Sequence, residues 1–107
     1  MSNINNPNEG DEMSDVFQLR FTVEWFAIQM ESKLRMHDRK KDGWDGDKTP
    51  NSYLLARLKQ ELSELQDALT DGEPGDIIEE AADVANFAMM IADRARNKIE
   101  SLTKLRN

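Results

Sequence analysis

The stretch Ile77–Asp93, IIEEAADVANFAMMIAD, constrains the fold more than any other part of the chain. Ile77, Ile78, Ala81, Val84, Ala85, Phe87, Ala88, Met90 and Ile91 would cover most of the circumference of a helix. A helix that is apolar nearly all round needs neighbours nearly all round. The remaining sequence supplies few. DVFQLRFTVEWFAIQMESKLRMHD has apolar residues at Phe17, Phe21, Ile28 and Leu34, is poor in β-branched residues and is far too long for a strand. Ser14 is suited to cap this first helix, with Asp15 in its first turn, and the pattern ends near His37. RKKDGWDGDKTP follows, a loop by its glycines, proline and charged run. Thr49 as N-cap and Pro50 at the first helical position open a second helix. Its leucines, Leu54, Leu55, Leu58, Leu62, Leu65 and Leu69, make one stripe, and TDGEPG closes it near Thr70. The third helix opens at Gly75 or Asp76 and either continues through RARNKIESLTKL or breaks near Asn97.

This pattern predicts an all-α fold, an antiparallel helical bundle. Residues 1–13 are too polar to bury anything and are expected to be a disordered tail, with one helical domain over 14–107. Two helices cannot enclose the third, so the expectation is a bundle completed by oligomerisation, as a homodimer or homotetramer.

Charge and composition narrow the function. With 21 Asp+Glu against 14 Lys+Arg and a net charge of -7, the chain lacks the basic surface that nucleic-acid polymers require. Nucleotides stay open, because a metal ion bridges acidic protein to phosphate. The absence of Cys removes disulfides and thiolate zinc sites and suits the reducing cytosol. The single His rules out a multi-histidine metal site within one chain. No apolar run approaches the roughly 20 residues of a membrane span, and no signal-peptide pattern is present. A soluble, cytoplasmic protein is expected.

Carboxylates interrupt the apolar third helix. Asp76, Glu79, Glu80 and Asp83 fall at i, i+3, i+4 and i+7, on one face. Repulsion and desolvation there should raise one or more of their pKa values. The second helix adds Glu61 and Glu64, again sharing a face, with Glu61 at the edge of the leucine stripe. A short antiparallel connection would bring Glu61, Glu64, Glu80 and Asp83 together with no Lys or Arg between them. Such a set calls for a hard cation, Mg²⁺ first and Mn²⁺ second. Mg²⁺ takes phosphate oxygens readily, which points to phosphate-ester or phosphoanhydride chemistry. In the loop, Trp44 either packs back on the helices or stacks on a planar ligand.

The order E-x-x-E then E-x-x-D, here ELSE at Glu61–Glu64 and EAAD at Glu80–Asp83, resembles the metal-binding signature of the all-α nucleoside triphosphate pyrophosphohydrolases, the MazG-like superfamily. KLRMHDRKKDGW and LLARLKQELSELQDAL are similar as well, and the likeness spans roughly residues 16–95, closest to short stand-alone members, many of them phage-encoded. The resemblance implies hydrolysis of (d)NTP to (d)NMP and pyrophosphate by water attack on the α-phosphorus. It implies Glu61, Glu64, Glu80 and Asp83 as metal ligands, with Glu61 also as the base. Lys41 and Trp44 would then contact substrate, as would Asn86, one turn beyond Asp83. Lys33, Arg39 and Lys40 could attract the triphosphate but read mainly as solvated surface. Two rivals remain, a phosphoribosyl-ATP pyrophosphohydrolase-type enzyme and a non-catalytic acidic helical module that binds a protein. The second predicts that the two acidic pairs diverge.

Overall fold

The computed structural model describes residues 17–38 and 49–106. Three helices make up this part: α1 (Phe21–His37), α2 (Asn51–Asp71) and α3 (Pro74–Arg106), with no strand among the described residues. The expected tail over 1–13, the Ser14 cap and the loop residues Lys41 and Trp44 lie outside them.

The α2–α3 junction follows from a few residues. Gly72 and Glu73 alone separate the two helices, which forces an antiparallel hairpin. Gly72 donates its N–H to the Ala68 carbonyl at 2.7 Å. A Cβ on Gly72 would stand 2.7 Å from that same carbonyl oxygen, so glycine is required by close approach. Next, Pro74 occupies the first position of α3, where its missing N–H costs nothing. Asp76 accepts the Glu73 N–H at 3.0 Å, half of a capping box. α3 therefore starts one to two residues before the position expected from Gly75 or Asp76, and Asp76 serves as a cap. It then runs unbroken for 33 residues past Asn97.

α1 starts later than its apolar pattern suggests. Residues 17–20 are not helical, and α1 begins at Phe21. Aromatic and β-branched residues, Phe21, Thr22 and Val23, fill its first turn and favour helix weakly. Phe17 and Phe21 are exposed, so no packing offsets that weakness. His37 ends the helix, as expected. α2 begins at Asn51 with Pro50 as its N-cap residue, one position later than the Thr49 cap predicted.

α3 is central. α2 packs along one side of it and α1 along another, while α1 and α2 do not pack on each other. The interior is correspondingly small: Leu54, Ala68 and Ala82 are its buried apolar residues. The leucines of α2 divide between two faces. Leu54 is buried against α3, with Leu58 and Leu65 partly covered, whereas Leu55, Leu62 and Leu69 form a seven-residue repeat turned to solvent. The expected single stripe is corrected accordingly. The middle of the buried line, seven residues from Leu54 and seven from Ala68, is held by Glu61.

Candidate metal centre

A carboxylate in the buried line of an amphipathic helix needs a partner. Glu61 is 5% exposed. Its Oε2 accepts a hydrogen bond from Arg57 Nη2 at 3.0 Å, one turn earlier on α2. Its Oε1 is buried with no hydrogen-bond partner. Across the hairpin, Glu80 of α3 is half-buried, and its Oε1 is likewise unpaired. Glu64, one turn past Glu61, stands exposed at the mouth. Glu61, Glu64 and Glu80 each bring one carboxylate oxygen to within 4.8 Å of the others. Oxygens around a single Mg²⁺ at 2.0–2.1 Å lie up to about 4.2 Å apart, so small rotamer adjustments suffice to close the set on one ion. These three acids can hold a metal ion.

The electrostatics match the geometry. Burial, then the charges of Glu64 and Asp83, push the Glu61 carboxyl above the usual range, and Arg57 only partly opposes them. Burial, then the charges of Glu64, Asp83 and Glu61, raise Glu80 as well. Burial raises Asp83, opposed by Lys33 and by His37. A cation seated among these acids would relieve the repulsion that raises them. The expected rise in carboxyl pKa values is present, at Glu61, Glu80 and Asp83.

Two features of the site differ from the sequence expectation. The cluster is not free of basic residues. Arg57 sits on Glu61, its guanidinium 5.1 Å from the centre of the Phe87 ring and also bonded to Gln60 Oε1. Lys33 Nζ of α1 lies 3.5 Å from Asp83 Oδ2, with both side chains largely covered. Asp83 consequently stands outside the three-acid set, paired to Lys33. Glu79 and Asp76 are exposed and take no part in it.

Of the remaining candidates, Asn86 is 3% exposed and joins α3 to α1, donating from Nδ2 to the Met30 carbonyl at 3.0 Å. Its Oδ1 is buried and unpaired. Sequence reasoning passed over Arg57, although its place four residues before Glu61 puts the two on one face. It treated Lys33 as solvated surface, because nothing local in the sequence announces a partner 50 residues away.

No helix among the described residues is long and apolar enough to cross a membrane. Comparison of the chain with protein-family models, curated proteins and solved structures gives no match.

Proposed function

We propose that the chain is a Mg²⁺-dependent nucleoside triphosphate pyrophosphohydrolase, active as a homo-oligomer. The observation that carries this reading is Glu61, which has a buried, unpaired Oε1 and gathers with Glu64 and Glu80 around one point. Leaving such an oxygen without a partner costs free energy, typically more than about 1 kcal/mol, and a divalent cation removes that cost. The oxygen-only donor set fits Mg²⁺, with Mn²⁺ as substitute. The nucleotide substrate rests on the resemblance of ELSE and EAAD to the MazG-like signature. A non-catalytic acidic module would have no use for acids that converge from two helices.

Bound Mg²⁺ would neutralise the carboxylates and the phosphate chain. Within the chain itself, Glu61, Glu64 and Glu80 are the ligands. Glu61, held by Arg57 on α2, would also serve as base and take the proton of the attacking water. The water oxygen bonds to the α-phosphorus, the bridge to the β-phosphate breaks, and pyrophosphate leaves. Arg57 keeps Glu61 in place through Oε2 and leaves Oε1 without a partner.

Incubation with each common NTP and dNTP plus Mg²⁺, with all products resolved, tests the proposal. NMP and pyrophosphate in equal amounts are expected. NDP and phosphate would contradict attack at the α-phosphorus, and no turnover of any nucleotide would remove the enzymatic reading.

A further inference from the structure

Two basic side chains reach the carboxylates of this site, and they are held very differently. Arg57 is fixed on three counts: its bond to Glu61 at 3.0 Å, its bond to Gln60, and the Phe87 ring 5.1 Å from its guanidinium. Its edge is used and one face lies against an aromatic ring, so a ligand finds little of it to bind. Lys33 has a looser hold. It comes from a separate helix, α1, and its ion pair with Asp83 is 3.5 Å long, against about 2.7–2.9 Å for a strong charge-assisted bond. An ammonium carries three N–H donors on a flexible four-carbon stem, so it can change partners without moving its helix. It is also mostly covered, at 17% side-chain exposure, so bulk water does not fully replace a lost partner.

Asp83, the acid that Lys33 pairs with, stands outside the three-acid group. It lies one turn from Glu80 on α3 and its charge acts on both Glu61 and Glu80. A cation seated on Glu61, Glu64 and Glu80 would therefore lie near Asp83 and compete with Lys33 for it. A phosphate chain arriving on that cation would bring oxygens within reach of the same ammonium.

We propose that Lys33 is an exchangeable counter-ion: it neutralises Asp83 in the empty site and passes to a phosphate oxygen of the substrate, which releases Asp83 to the metal. The proposal rests on the pyrophosphohydrolase reading. It makes Lys33 a phosphate-contacting residue and couples nucleotide binding to completion of the metal site. It also accounts for a fourth acid that stands beside the cluster without joining it.

The test uses the purified full chain, wild type and Lys33→Met, with Lys33→Arg as the charge-retaining variant; circular dichroism establishes that each is folded. Calorimetry measures two affinities. The first is for Mg²⁺ alone. The second is for an α,β-imido nucleoside triphosphate, which resists cleavage of the α–β bridge, at saturating Mg²⁺. For Lys33→Met the two should move in opposite directions: Mg²⁺ alone binds tighter and the analogue binds weaker, each by about fivefold or more. Lys33→Arg should stay closer to wild type in both. A role confined to joining α1 to α3 would weaken both affinities together, and that result overturns the proposal. Tighter Mg²⁺ with unchanged analogue affinity overturns it too, because Lys33 would then never leave Asp83. Wild-type protein that binds no Mg²⁺ would refute the metal-site reading itself, whereas Mg²⁺ binding in the wild type with either overturning pattern refutes only the role of Lys33.

Discussion

Glu61 shows how much a single position decides. In sequence it is one more acid in a helix with many, and E-x-x-E is common on solvated faces. The fold puts it between Leu54 and Ala68 in the buried line of α2, with one oxygen on Arg57 and the other unpaired. The ELSE and EAAD spacings made Glu61, Glu64 and Glu80 legible, because each pair is local and the hairpin between them is short. The pairing of Asp83 with Lys33 was not legible, because it depends on how α1 crosses α3. A pH dependence follows at this scale. Glu61, Glu80 and Asp83 all titrate higher in the folded chain than their ordinary values. Folding thus favours their protonated forms. Their contribution to stability is complete below the unfolded pKa and is lost as pH rises through the folded values. The cation-free protein should accordingly lose this contribution to its melting temperature as pH rises from the ordinary carboxyl range, about 4, towards neutrality. Saturating Mg²⁺ should flatten or reverse that slope, since it binds the deprotonated acids. Thermal melts across this range check it, and a cation-free Tm that climbs with pH would contradict the assignment.

Among the elements, the hairpin of α2 and α3 was the best read and α1 the worst. Pro74, Gly72 and Asp76 act within a few residues of where they stand, so TDGEPG announced a turn whose details the fold supplies. The start of α1 depended on whether Phe17 and Phe21 find something to pack on, and within one chain they do not. The leucines of α2 could not be sorted in advance, because Leu54 and Leu55 are adjacent and only the contact with α3 separates them. The hairpin yields a prediction. Gly72→Ala forces a Cβ to 2.7 Å from the Ala68 carbonyl, a backbone atom that cannot swing aside. It should cost about 1–3 kcal/mol, the usual penalty of overpacking. Denaturant melts measure this, and a cost near zero would mean that the turn relaxes freely. Because the same turn sets the approach of Glu80 to Glu61, the variant should also bind Mg²⁺ more weakly.

At the scale of the whole molecule, the small interior is the main fact. Few large side chains are buried, whereas Leu55, Leu62 and Leu69 on α2, Phe21, Val23 and Ile28 on α1 and Ile99, Leu102 and Leu105 on α3 are exposed. We attribute this exposed apolar surface to further copies of the chain, as the breadth of the apolar surface on α3 already suggested. Leu62→Glu, at a site 55% exposed, should leave an isolated chain folded and should dissociate an oligomer. Light scattering at micromolar concentration should return a multiple of 12.3 kDa for the wild type and a smaller mass for the variant. A wild-type mass of one chain would refute the oligomer.

The central claim is that a divalent cation belongs between Glu61, Glu64 and Glu80. Titration of the purified protein with Mn²⁺, following loss of the free-ion signal by electron paramagnetic resonance, tests it most directly. Glu61→Gln is the control, since glutamine keeps the shape and an acceptor for Arg57 but removes the charge. The wild type should bind one Mn²⁺ per chain, displaceable by Mg²⁺, and Glu61→Gln should bind it at least about tenfold more weakly. Mn²⁺ binding of equal strength in both proteins, or none in the wild type, would contradict the account.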